Sequence, residues 1–220
     1  MKTTVHDRFS ATDFLRQLPE AFTKLNRDQR ELSLSLYRYL AKGLPVGVDD
    51  LVATTSLEEV RVKEILNDWP GIYYNDDHKI TGYWGLAIIE MGHKIEFENK
   101  TLFGWCAWDT LFLPQLLGKD AVIRSSDQST NEEVVIEVDG NGNLASDGTD
   151  IYVSLLEVDE ESIKEEVISS FCHFIYFFKS RSSGETWVSQ HNGTFLITLE
   201  EALELSQTKN RLQYDDFLFG

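Results

Sequence analysis

The sequence predicts an α+β protein, with a winged-helix-like helical region over residues 1–82 followed by a mixed α/β core over 83–220. Three observations predict it. Apolar residues recur at helical spacing between Arg27 and Asp68, a hairpin pattern comes directly after, and the rest of the chain mixes short alternating apolar runs with helical ones. With 42% hydrophobic and 12% aromatic residues, 220 residues can bury a substantial core in one large domain or two small ones.

In the first region Leu32, Leu36, Tyr39 and Leu40 form one helical stripe, and Val60, Ile65 and Leu66 another. Gly43-Leu-Pro-Val-Gly-Val breaks the first helix, Asp49 or Asp50 caps a short second one, and Ser56 with Glu59 forms a capping box for the third. Ile72-Tyr-Tyr, Asn75-Asp-Asp-His and Lys79-Ile-Thr-Gly-Tyr-Trp then read as strand, turn and strand.

In the second region, strands are expected at 84–90 and 93–98 around a Gly92 turn, then a helix from Cys106 to Leu117 ended by Gly118. Further strands are expected near 121–126, 132–138 and 151–158, the last two joined by the polar surface loop Asp139–Asp150. Ser162–Ser170 reads as a helix, His173–Lys179 as an apolar strand, and 184–191, 194–198 and 199–212 as helix, strand and helix. Segments 93–138 and 151–198 each read as strand, helix, strand, strand, a possible diverged duplication.

Composition narrows the function. A formal charge of -17, from 37 acidic and 20 basic residues, repels nucleic acid phosphates and anionic membranes, so neither is expected as a partner. The amino-terminal stretch lacks the apolar run of a secretory signal, and no window approaches the roughly 18 apolar residues of a membrane helix. A cytoplasmic protein with reduced thiols is expected. The loop from Asp139 has alternating oxygens like a calcium loop, but Leu144 stands where glycine is needed and Asp150 where glutamate is, so a turn is expected. His6, His78, His93 and His191 show no ligand spacing and read as surface or structural.

The two cysteines each lie in an aromatic stretch, Cys106 in Phe103-Gly-Trp-Cys-Ala-Trp-Asp-Thr and Cys172 in Ser170-Phe-Cys-His-Phe-Ile-Tyr-Phe-Phe. Cys106 and Asp109, three apart at a helix start, share one face of the first turn. There the backbone N–H groups favour thiolate, lowering a thiol pKa from about 8.5. Equally, Cys106 reads as a small buried hydrophobe and Asp109 as a helix cap. Cys172 reads alone as a filler of a core strand, and His173 beside it points to the opposite face of an extended chain.

The run Trp105-Cys-Ala-Trp-Asp-Thr-Leu-Phe-Leu-Pro, followed by Ser170-Phe-Cys-His-Phe-Ile-Tyr-Phe-Phe, resembles the two signature segments of the organomercurial (alkylmercury) lyases. The resemblance extends to the Leu-Ala-Lys-Gly-Leu-Pro-Val phrase from Leu40 and to Trp187-Val-Ser-Gln-His-Asn-Gly. It implies that Cys106, Asp109 and Cys172 are catalytic and hold the mercury of R–Hg(+) as substrate, with Asp109 relaying a thiol proton to the departing carbon. Products are RH and Hg(II). It further implies no organic cofactor, a need for external cellular thiols, and a mercuric reductase as acceptor of Hg(II). Trp105, Trp108 and Phe171 flank the site as an apolar substrate pocket, a role that core packing explains equally well. Two family cysteines are absent: Asp127 stands near one position and His173 in the other.

Two other functions compete. A thiolate carrier for mercury or copper would use the same cysteines without needing Asp109, and a metal-responsive winged-helix regulator would use them as a sensor. The candidate recognition helix of that regulator, Leu57–Asp68, carries more acids than bases and suits phosphates poorly.

Overall fold

A computed structural model describes residues 24–145, 150–157 and 171–219. The expected helix at 162–170 lies outside them. The chain begins with helices α1 (Arg27–Leu40), α2 (Val48–Val52) and α3 (Glu59–Asp68), then the hairpin β1 (Ile72–Tyr74) and β2 (Ile80–Tyr83). Asn26 and Gln29 close a capping box on α1, each side chain bonding the other's backbone N–H at 3.0 Å. The expected Ser56 cap does not form. Glu58 is the N-cap of α3, and Ser56 instead donates its hydroxyl to Glu31 on α1 at 2.9 Å, because a carboxylate from the neighbouring helix competes for it. Gly47 caps α2, its N–H donating to Asp50 at 2.9 Å.

The hairpin is continuous with the strands of the second region. Strands β3 (Leu86–Ala87), β4 (His93–Phe97), β5 (Lys100–Gly104), β6 (Ala121–Ser126) and β7 (Glu133–Val138) join it in a seven-stranded antiparallel sheet, ordered β1-β2-β3-β5-β4-β6-β7. The strand β5 was not expected. It makes β4 a hairpin partner of β5 through Glu98 and Asn99, so β3 and β4 do not pair around Gly92. A second, three-stranded sheet has the order β10-β8-β9, from β8 (Tyr152–Leu156), β9 (Phe177–Phe178) and β10 (Thr194–Thr198). With β5 present, the segment 93–138 runs strand, strand, helix, strand, strand, which departs from the repeat unit read in the sequence.

Against the large sheet, on β3 to β6, lies α4 (Ala107–Leu117), capped by Gly118 in the left-handed conformation at φ 61° as expected. It is apolar all round and buried from Ala107 to Pro114, as suits a helix with protein on every side. Facing it across the core, α6 (Leu199–Tyr214) packs along α4, while α1 crosses its other flank. The helix α5 (Arg181–Val188) covers the second sheet and α7 (Asp216–Phe219) ends the described chain. One hydrophobic cluster runs from Leu25 to Tyr214.

The expected strand at 173–179 is mostly absent. Cys172–Phe174 is a turn of 3₁₀-helix and only Phe177–Phe178 is paired as a strand. Ile175, Phe177 and Phe178 are buried in the core and Phe174 and Tyr176 half-buried, so packing accounts for the apolar run without a full strand.

Candidate functional site

Each site residue is placed by a local device. Cys106 is the N-cap residue of α4, extended at φ -141° and ψ 174°, and its N–H donates to Oδ2 of Asp109 at 2.9 Å. The cap that the sequence offered as the bland reading of Asp109 therefore exists, and it aims the carboxyl back at the cysteine. Cys172 arrives from 63 residues beyond Asp109 in the chain. The backbone N–H of Ala107 donates to the carbonyl of Ile175 at 3.2 Å, docking the 3₁₀ turn onto the start of α4. Ser154 on β8 holds the other side of that turn: its hydroxyl donates to Phe174 O at 2.7 Å and accepts from Tyr176 N at 2.9 Å.

The result is a buried triangle. One ligand atom each from Cys106, Asp109 and Cys172 lies within 4.8 Å of the others, the one such group among the described residues. The Cys172 thiol faces Oδ2 of Asp109 at 3.8 Å, the same oxygen that accepts from Cys106 N. Both cysteines are free. His173 is exposed while Cys172 is buried, so the imidazole stays out of the triangle, as expected, although a 3₁₀ turn and not strand alternation separates them.

Burial sets the electrostatics. Asp109 is raised to about 6 by desolvation, against opposing hydrogen bonds from Cys106 and the attraction of Lys209. The Cys106 thiol is pushed well above its usual value, first by desolvation and then by hydrogen bonding to Cys172 and the charge of Asp109. Cys172 is raised too: its hydrogen bond to Cys106 lowers it, but burial and Asp109 outweigh that. The sequence-based expectation that the helix N-terminus yields a thiolate is therefore corrected. A neighbouring carboxylate and the loss of water outweigh the partial positive charge of the helix end. The resting thiols are neutral, and a soft metal must displace their protons as it binds.

The three aromatics that flank the cysteines in the sequence, Trp105, Trp108 and Phe171, are buried. The indole of Trp108 donates to Ala202 O on α6 at 3.2 Å, and its ring meets Phe171 edge-on at 6.4 Å. Trp105 stands edge-on to Tyr73 at 5.1 Å. Four contributors escaped sequence reasoning. Gly85 abuts the Asp109 carboxyl, Ser154 fixes the Cys172 turn, Tyr176 is raised by its own burial and would be raised further by a charge on nearby Cys106, and Lys209 feels Asp109 from α6. Only Gly85, beside the turn residue Trp84, carried even a weak signal, since a glycine in a strand run marks close backbone approach.

Asp127 and the loop after Asp139 prove to be structural pieces. Asp127, fully buried, accepts from Ser129 N at 2.8 Å, Thr130 N at 3.1 Å, Lys179 N at 2.9 Å and Ser183 Oγ at 2.7 Å. Asp139 folds a turn, accepting from Asn141 N at 2.9 Å and Asn143 N at 2.8 Å, as the turn reading expected. Buried His93 hydrogen-bonds Ser125 at 2.8 Å, a structural role.

Comparison with known proteins agrees with this geometry. The alkylmercury lyase family profile matches residues 86–209. An alkylmercury lyase of Staphylococcus epidermidis is 31% identical over 197 residues, covering 89% of each chain. One of Pseudomonas putida is 31% identical over 196 residues, covering 88% of this chain and 91% of its own. The crystal structure of the mercury-bound form of MerB2 superposes with a TM-score of 0.72 at 25% identity, covering 90% of this chain and 98% of that one.

Proposed function

Since the chain belongs to the alkylmercury lyase family, we propose that Cys106, Asp109 and Cys172 are the groups with which it cleaves the carbon–mercury bond of R–Hg(+) by protonolysis. The observation that carries this reading is the shared oxygen, Oδ2 of Asp109, facing a thiol at 3.8 Å inside a buried triangle of two sulfurs and a carboxyl.

The chemistry starts from neutral thiols. As mercury meets one sulfur, the metal displaces the thiol proton and a mercury–sulfur bond forms. A second bond from the other cysteine adds electron density to mercury and weakens its bond to carbon. Asp109, raised to about 6 by burial, accepts one displaced proton and delivers it to the departing carbon. The second thiol proton leaves to solvent or to an outgoing thiolate. The carbon–mercury electron pair takes the proton to give RH, and Hg(II) stays on the two thiolates.

Trp105, Trp108 and Phe171 line the space for the organic group, a reading supported by their burial and by their place next to Cys106 and Cys172 in the chain. No organic cofactor enters this scheme. External cellular thiols exchange Hg(II) off the cysteines, and a mercuric reductase is a fitting acceptor. A cytoplasmic setting keeps the thiols reduced, and no helix among the described residues is long and apolar enough to cross a membrane. The winged-helix-like region, α1–α3 with β1–β2, serves as scaffold for the core that begins near residue 83, since Tyr37 on α1 donates to Trp84 O at 2.8 Å beside the site.

The test is to mix the purified protein with phenylmercury and excess thiol and to follow benzene and Hg(II). Turnover is expected, with at least roughly hundredfold losses for Cys106→Ser, Cys172→Ser and Asp109→Ala. Retained mercury without benzene would instead identify a thiolate carrier, and full activity in any of the three variants would remove that residue's role.

A further inference from the structure

We propose that Lys209 is the counter-charge of this site, an electrostatic positioning residue that acts on the reaction through Asp109. The inference rests on the lyase reading above. Lys209, on α6, is 2% exposed and is the one buried lysine or arginine among the described residues. Its ammonium lies 3.5 Å from the centroid of the Phe112 ring, and Phe112 follows Asp109 by one turn of α4. No salt bridge reaches it among the described residues. A buried ammonium without a paired carboxylate is costly, and the faces of Phe112 at 3.5 Å and Tyr214 at 5.9 Å offset only part of that cost.

The reaction's charge balance supplies that neighbour. The resting site, two thiols and a carboxylate, carries one negative charge. With R–Hg(+) on two thiolates and the proton on Asp109, the sum is again one negative charge, and after RH leaves, neutral bis-thiolate Hg(II) and ionised Asp109 give the same. Above about pH 6, where Asp109 rests ionised, the buried site is singly negative at every step and gains from one fixed cation. The attraction is mutual: Lys209 lowers Asp109, and Asp109 raises Lys209.

Lys209 also borders a cavity of about 150 Å³ with Tyr37, Asp68, Tyr83, Trp84 and Tyr214. The titratable and charged groups facing it are therefore Tyr37 from α1, Asp68 at the end of α3, Tyr83 from β2, Asp109 from α4 and Tyr214 from α6. Burial holds the three phenols far above neutral pH and so uncharged there. Asp68 is exposed at the cavity rim, which leaves Asp109 as the buried anion. Desolvation brings Lys209 down to about 7, so the cation is present below that pH and fades above it.

The experiment compares wild type, Lys209→Met and Lys209→Arg in steady-state phenylmercury turnover across pH, together with their melting temperatures. Expected for Lys209→Met is a kcat/KM lower by roughly tenfold between about pH 6, where Asp109 rests ionised, and about pH 7, where Lys209 is still charged, loss of the wild-type decline above that pH, and a higher melting temperature because a buried charge is gone. Lys209→Arg should recover most of the rate and carry it to higher pH. If Lys209→Met matches the wild-type profile, or loses rate only in step with a lowered melting temperature, the inference is overturned. Wild-type protein that releases no benzene sinks the lyase reading and the inference together, whereas wild-type turnover with an indifferent Lys209→Met sinks the inference alone.

Discussion

Oδ2 of Asp109 serves two partners, the N–H of Cys106 at 2.9 Å and the thiol of Cys172 at 3.8 Å, and its protonation sets the pH behaviour of the site. With its pKa at about 6 against an ordinary value of 3.8, the folded state holds the Asp109 proton more tightly than the unfolded chain. This contribution to stability is full below pH 3.8 and is lost as pH rises through about 6. His93 works in the opposite sense. Burial lowers it from 6.5 to about 4, so its contribution is full above pH 6.5 and is lost as pH falls through about 4. In Asp109→Asn, where the opposing gain on acidification is removed, the urea midpoint should fall between pH 6.5 and 4 by an amount equivalent to at most about 3 kcal/mol. A midpoint flat over that range would dismiss His93 as the acid-sensitive group.

Between elements, the closest fit in the site is at the two-residue turn joining β2 to β3. Tyr83 pairs with Leu86, so Trp84 at φ 31° and Gly85 at φ 91° make the turn, a left-handed pair of the kind tight hairpins need. Trp105 N donates to Gly85 O at 3.1 Å, drawing the turn over the start of α4. A Cβ at Gly85 would come within 2.6 Å of Oδ1 and 2.7 Å of Cγ of Asp109. Gly85→Ala should therefore displace the carboxyl and lower kcat by at least roughly tenfold. Hg(II) binding by the two cysteines, read from thiolate–mercury absorbance, should survive. Loss of both together would mean that the turn only supports the fold.

Across the molecule, the two sheets must be held in register for Cys172 to reach Cys106, and Asp127 is one of the fastenings. It leaves the end of β6 and bonds the backbone at Lys179 and the hydroxyl of Ser183 on α5, tying the large sheet to the segment just after Cys172. Its four hydrogen bonds hold the carboxylate below its ordinary value, although burial pulls the other way. Asp127→Ala strands several buried donors and should cost about 2–4 kcal/mol in urea unfolding. Turnover per folded molecule should stay near wild type. A large loss of turnover in fully folded protein would place Asp127 in the chemistry instead.

The site was legible because its aromatic-rich signature segments name Cys106, Asp109 and Cys172 in context, and α4 because a polar-capped apolar run ends in Gly118. Less was legible where tertiary contacts override local pattern. β5 hides behind Glu98 and Asn99, a turn with neither glycine nor proline in which Glu98 takes φ 50°, and 173–179 looks like a strand because its aromatic and β-branched residues suit one, although Cys172–Phe174 coils into a 3₁₀ turn. The residue types and their order along the chain were determined by the sequence itself: two thiols, an acid one helical turn from the first, and a chain able to bury them. Only the tertiary structure decided that the thiols rest neutral, that Asp109 sits near 6, and that Lys209 stands behind it, because each depends on how much water packing removes and which distant charge it leaves close by.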